Sequence, residues 1–219
     1  MTSPYSCILF DLDGTIADSA PGITSSLAYL FERMGKPIPT PSELLEYVGP
    51  PILESFRELA KFTPAESERA LELYREHYLE HGVYDSTSFD GIGDVLRAIH
   101  ESPIPMSLAT SKPEIPATLI LEHFGFARFF DIITGASADE VRSAKKDVVE
   151  EALKRLATSG ADISRPVLVG DRKHDVEGAA VHGVPTIFVT WGYGSPAEQV
   201  GTVAVVDHPS ELLPLLLLG

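Results

Sequence analysis

Five short apolar runs with no polar alternation dominate this chain: Tyr5–Phe10, Met106–Ala109, Asp131–Thr134, Pro166–Val169 and Thr186–Thr190. A strand that is apolar on both faces must be covered on both faces. That is the situation of a strand inside a parallel sheet flanked by helices. Helix-period patterns fall between the runs. Over 145–158, Val148, Val149, Ala152, Leu153, Leu156 and Ala157 form one stripe, and residues 113–125 and 91–100 read similarly. Strands alternating with helices predict an α/β fold with a doubly wound parallel sheet.

One gap breaks this rhythm. Almost a hundred residues separate Phe10 from Met106, and most of them carry no strand-like run. Two helix starts are marked inside the gap, Thr40-Pro41-Ser42-Glu43 and Thr63-Pro64-Ala65-Glu66. Each offers an N-cap hydroxyl, a proline at the first helical position and a glutamate at the third. The second predicts a long amphipathic helix through about His81, with Leu71, Tyr74 and Tyr78 on one side. The expected organisation is a smaller all-helical domain over 17–87 inserted into a main domain made of 1–16 and 88–219. Gly49, Pro50 and Pro51 interrupt the insertion as a helix-to-helix turn.

Open α/β sheets bind ligands at the carboxyl ends of their strands, so the strand exits carry the functional signal. The first run exits into Asp11-Leu12-Asp13-Gly14-Thr15, the second into Thr110-Ser111-Lys112-Pro113, and the fourth into Gly170-Asp171-Arg172-Lys173-His174-Asp175. The third leads on to Lys145 and Lys146 at a helix start. Carboxylates at the mouth of an apolar core are costly unless a cation or a reaction uses them. Aspartates, a hydroxyl and a lysine are equipment for a magnesium ion and a phosphoryl group, because hard oxygen ligands suit Mg²⁺ and the metal offsets repulsion between carboxylates and phosphate. An aspartate can also attack phosphorus and form an acyl phosphate.

Bulk properties narrow the partners. Charged residues make up 22% and hydrophobic residues 44% of the 219, ordinary for a soluble globular protein. A formal charge of −15 opposes binding to nucleic acid. The lone cysteine, Cys7, excludes an intramolecular disulfide and reads as core packing. The leucine run Leu212–Leu218, broken by Pro214, falls far short of the roughly 20 residues that span a bilayer. Met1–Ser6 lacks a basic and apolar leader, so no membrane role and a cytoplasmic location are expected. No Gly-x-x-x-x-Gly-Lys-Ser/Thr loop and no zinc-site spacing occur, and Gly91-Ile92-Gly93 is too short for a dinucleotide fingerprint.

Taken together, the motifs resemble those of the haloacid dehalogenase-like (HAD) hydrolase superfamily, in its phosphatase branch with a helical cap inserted after the first motif. Asp11–Ser19 resembles the first motif, Thr110–Pro113 the second, Ser143–Val149 the third and Val169–Asp175 the fourth. Val48–Ile52 and Trp191–Ser195 are similar to members called phosphoglycolate phosphatase or 5′-nucleotidase-like. The resemblance implies a Rossmannoid core, a Mg²⁺ cofactor and a small phosphate ester as substrate, nucleoside monophosphate or phosphoglycolate first, in a monomer or homodimer. It implies that Asp11 is the nucleophile, that Asp13 serves as acid and then base, that Thr110 donates to the phosphoryl group and that Lys145 neutralises it. Asp11, the Asp13 carbonyl, Asp171 and Asp175 would hold the metal. Backbone N–H groups at Gly14 and Thr15, with Ser111, would bind the phosphoryl oxygens, and Gly49 would sit in a cap loop over the site. Lys112 remains open between a substrate contact and a surface lysine, Arg172 is expected to form a structural ion pair, and the Trp191–Gly194 loop is expected to be structural. A phosphosugar mutase on the same scaffold, or a binding protein that kept the fold, are the alternative functions.

Overall fold

The computed structural model describes residues 3–218; residues 1–2 and 219, at the outer ends of the expected main-domain segments, lie outside them. Strand β1 (Cys7–Phe10) is its spine. It pairs in parallel with β4 (Met106–Pro113) on one side and β6 (Pro166–Gly170) on the other. With β5 (Ile132–Ala136), β7 (Thr186–Val189) and β8 (Ala204–Val206), the sheet order is β5-β4-β1-β6-β7-β8, all parallel. The chain winds outward from β1 through β4 to β5, then restarts beside β1 at β6. The crevice where strand order reverses lies over the carboxyl ends of β1 and β6.

All four residues of β1 are fully buried, which is why the run shows no alternation. Cys7 and Leu9 pack with Val148, Val149 and Leu156 of α7 (Lys145–Thr158) and Ala179 of α8 (Lys173–Ala180). Ile8 and Phe10 join the opposite cluster, with Leu96 and Ile99 of α5 (Ile92–His100) and Leu212 of α9 (Leu212–Leu217). Each such side chain contributes about 1.5–3 kcal/mol of hydrophobic stabilisation. The remaining core-side helix, α6 (Glu114–His123), follows β4.

Between β1 and β4 lie α1 (Ala20–Arg33), α2 (Pro41–Leu45), α3 (Ile52–Glu58) and α4 (Pro64–His77). Both expected capping boxes form: Thr40 and Thr63 accept the third-residue N–H while Glu43 and Glu66 accept back from the cap N–H at 2.7 and 2.8 Å. Leu27, Leu30, Phe31, Phe56, Phe62 and Leu73 are buried among these helices.

Four expectations need correction. The insertion is not helical to its ends, because β2 (Ala17–Asp18) and β3 (Thr87–Ser88) pair as an antiparallel ribbon too short to leave a sequence pattern. A sixth sheet strand, β8, was unforeseen; it is three residues at an edge, with Val205 exposed. Thr110–Pro113 belongs to β4 rather than to a loop after it, with the register shifting between Ala109 and Pro113, an irregularity of the kind that re-aims side chains. Finally, α4 stops at His77 and a wider π turn takes Tyr78–Gly82. That turn brings Gly82 against Gly22 of α1, where a Cβ on either glycine would strike the other's backbone.

Candidate active site

The loop leaving β1 is folded by its own backbone. The Leu12 carbonyl accepts from the N–H groups of Thr15, Ile16 and Ala17 at 3.2, 2.9 and 2.9 Å, and Gly14 N–H donates to the Ala17 carbonyl at 2.8 Å. The N–H groups of Gly14 and Thr15 therefore close the loop. Gly14 has φ +83°, which favours glycine, and a Cβ there would collide with the Asp171 carboxylate. Thr15 donates through its hydroxyl to Asp171 Oδ1 at 3.2 Å.

Three carboxylates from two strand exits, Asp11 after β1 and Asp171 and Asp175 after β6, meet at this point. One oxygen each of Asp11, Asp171 and Asp175 lies within 4.8 Å of the others, and all three residues are buried. Asp175, in the first turn of α8, accepts through Oδ2 from the N–H groups of Asp171 and Arg172 at 3.1 and 3.0 Å. Tyr193 N–H donates to Asp171 Oδ2 at 2.8 Å. Lys145, at the start of α7, reaches Asp11 Oδ1 at 2.7 Å, Asp175 Oδ1 at 2.6 Å and the Ala109 carbonyl at 3.0 Å. Lys146, its neighbour, is exposed.

One ammonium among three carboxylates leaves an excess of buried negative charge, and the ionisation of the groups records it. Burial pushes the Asp11 carboxyl up to about 6 against the pull of Lys145, with the charges of Asp175 and Asp13 adding to the rise. Burial, then the charges of Asp175 and Asp11, hold Asp171 well above the ordinary carboxylate range. Burial alone would lower Lys145, but the facing Asp11 and Asp175 outweigh it and keep the ammonium above its usual value. Hard oxygen donors in surplus over cations, on rigid strand exits, fit a divalent cation. The three aspartates could hold a metal ion between them.

Asp13 stands apart from that set and is held differently. Lys112 Nζ grips both of its oxygens, at 3.0 and 2.9 Å, and the Ser19 hydroxyl donates to Oδ1. Lys112 is buried, not a surface lysine, and lies 4.7 Å from the centre of the Tyr78 ring. Thr110 is buried, with its hydroxyl oxygen accepting from Lys112 N–H at 3.3 Å, and the buried Ser111 hydroxyl has no partner among the described residues. A chamber of about 520 Å³ borders Asp13, Ser111 and Lys112 on one side and α4 on the other. Gly49 lines it too, with φ +101°, and a Cβ there would stand 3.2 Å from the Arg172 side chain. Arg57 is exposed and is not among the lining residues.

A family model described as haloacid dehalogenase-like hydrolase matches residues 8–189. The chain belongs to this family. As a HAD-like hydrolase, it is 42% identical over 187 residues to the tyrosine-protein kinase PtkA of Mycobacterium tuberculosis, covering 85% of this chain. The match takes in only 62% of the length of that relative. It is 37% identical over 194 residues to a 5′-nucleotidase of Pseudomonas aeruginosa, covering 89% of this chain and 86% of the relative. Among solved structures, a predicted phosphatase from Clostridium acetobutylicum superposes with a TM-score of 0.88 at 35% identity, over 95% of this chain and 96% of the other.

Within this HAD-like hydrolase, two contributors lay outside what the sequence reading assigned to the site. Tyr193 belongs to a loop read as structural, yet its N–H holds Asp171 and its hydroxyl donates to Asp18 at 2.7 Å. A backbone donor leaves no side-chain signature, so nothing in the residue types could have announced it. Leu71, Tyr74 and Tyr78 were read as one side of a long helix; that side lines the chamber. Arg172 does form the expected ion pair, with Glu198 at 3.0 Å, and also donates to the Val48 carbonyl at 2.6 Å. His77 stacks on Tyr29 and bonds with Ser26 at 2.9 Å.

Proposed function

We propose that this hydrolase is a Mg²⁺-dependent phosphomonoesterase acting on a small phosphorylated metabolite, with residues 17–87 as the cap that encloses it. The observation that carries the reading is the meeting of Asp11, Asp171 and Asp175 around Lys145 at the crevice of the sheet. In this reading an oxygen of Asp11 attacks phosphorus in line, and the P–O bond to the leaving alcohol breaks. Asp13 gives the departing oxygen its proton. The same carboxylate then takes a proton from water, whose oxygen attacks the phosphorus of the aspartyl phosphate. Cleavage of that bond restores the Asp11 carboxylate and frees phosphate.

The other residues act as fixed charges and donors. Lys145 offsets charge on Asp11 and on the incoming phosphoryl oxygens, and the hydroxyls of Thr110 and Ser111 would donate to them. Thr15 and Gly14 serve by holding and packing against Asp171. Mg²⁺, held by Asp11, Asp171, Asp175 and the Asp13 carbonyl, would supply charge neutralisation for phosphate beside carboxylates. Lys112 and Ser19 fix the orientation of Asp13. Nucleoside monophosphates and phosphoglycolate are the candidate substrates, consistent with the 5′-nucleotidase relative and with a solved structure called a putative phosphoglycolate phosphatase. The test is phosphate release from p-nitrophenyl phosphate with Mg²⁺, then with a chelator. Turnover that survives chelation, or that survives Asp11→Asn at full rate, would defeat this reading.

A further inference from the structure

We propose that the chamber selects esters whose leaving group carries a flat, uncharged heteroaromatic ring, as in nucleoside monophosphates, with Tyr74 as the platform for that ring. The inference rests on the phosphatase reading above and names the substrate class for the same site.

Size comes first. About 520 Å³ is the scale of pockets that enclose whole organic ligands. A two-carbon group such as glycolate would leave most of it empty. The wall chemistry points the same way. Tyr74 and Tyr78 line the chamber with their rings 5.3 Å apart and only 10° from parallel, and Leu71 lies one turn earlier on the same helix. Flat aromatic walls favour flat aromatic ligands through stacking and apolar burial.

The charges decide against an anionic leaving group. Every lining cation is already paired: Lys112 with Asp13, Arg75 with Glu140, Arg142 with Glu151, and Arg155 with Glu114 and Glu151. A carboxylate on the leaving group would find no free cation among the lining residues, so its desolvation would go uncompensated. Yet the chamber is not purely apolar. Glu114, Ser137 and Arg142 bring polar side chains to its lining. Ring nitrogens and exocyclic amino or carbonyl groups can pair with such groups, and a plain hydrocarbon cannot. Glu140 adds a second sign of a built site, because it holds a left-handed φ of +60° without being glycine. Backbone strain of this sort persists where surrounding structure enforces it, and it clusters at ligand sites.

The experiment compares esters that share a primary phosphate and a ribose and differ only in the ring, with 2-phosphoglycolate as a small anionic contrast. Wild-type kcat/KM for AMP and CMP should exceed that for ribose 5-phosphate by about tenfold or more, mostly through KM. 2-Phosphoglycolate should fall below ribose 5-phosphate. The nucleotide to ribose 5-phosphate ratio should collapse toward one in Tyr74→Ala and survive in Tyr74→Phe. A purely structural role for Tyr74 would lower all substrates together and leave the ratio intact. An advantage for AMP alone or CMP alone supports the proposal and fixes the ring size. Ribose 5-phosphate or 2-phosphoglycolate turned over as well as the nucleotides overturns it. If p-nitrophenyl phosphate is hydrolysed with Mg²⁺ but the ring confers nothing, only this inference fails. If no ester is hydrolysed, the phosphatase reading fails and takes this one with it.

Discussion

The two walls of the site are built on opposite principles. On the sheet side, Asp11, Asp175, Lys145 and Asp171 are tied to one another and to the backbone by charged contacts of 2.6–3.2 Å. On the α4 side, the lining is Leu71, Tyr74, Tyr78 and Leu79, with Arg75 tied to Glu140. A preorganised, water-excluded set of charges is what phosphoryl chemistry needs, because it acts on the transition state without reorganising. A largely apolar wall is what recognition of a varied organic group needs. In the proposed reading chemistry falls to one wall and choice of substrate to the other, and each half of that proposal can be broken separately.

The largest effect should come from Asp11→Asn, which keeps shape but removes the attacking oxygen's charge. We expect a loss of kcat on the order of 10⁴-fold or more with circular dichroism unchanged. Near-normal turnover with p-nitrophenyl phosphate would dissolve the proposed division between the walls. Next, Lys145→Ala strips the only ammonium from three carboxylates. Its kcat should fall by roughly 10²–10³-fold, the scale for one electrostatic donor, whichever ester is offered. A loss confined to nucleotides would instead place Lys145 on the selecting wall.

The pH dependence of stability should follow Asp11. Its folded value of about 6 lies above the unfolded value of 3.8, so the folded state binds the proton more tightly. The resulting stabilisation is present below pH 3.8 and is lost as pH rises through about 6 in metal-free protein, with Asp171, raised by the same burial, acting in the same direction. Melting curves between pH 4 and 7 should show this decline, made smaller by Asp11→Asn. Mg²⁺ should offset it in the wild type. A decline identical in both proteins would mean that Asp11 is not its source. The smallest effect belongs to the helical segment alone. Thr40→Ala removes one half of a capping box and should cost about 1 kcal/mol in urea unfolding, with kcat unchanged.

Much of the sheet was legible in the sequence, and the reason is physical. A strand buried on both faces cannot conceal its composition, so β1, β4, β5, β6 and β7 stood out, and the aspartates followed as the polar residues at their ends. What escaped was short or relational. β8 is three residues with an exposed Val205, and β2 and β3 are two residues each, below the length at which pattern means anything. Lys112 could not be resolved because its burial depends on Asp13, 99 positions away. The chamber was invisible for the same reason: Tyr74 and Tyr78 look like any helix stripe until β4 is set opposite them.

Arg172 has a mechanical consequence. Its guanidinium is bonded at once to Glu198 and to the Val48 carbonyl, beside Gly49 and next in sequence to Asp171. Any outward swing of residues 47–50 must first snap the Val48 bond. Such a swing would thus tug on the loop that carries Asp171, linking movement of the 47–50 segment to the carboxylate cluster.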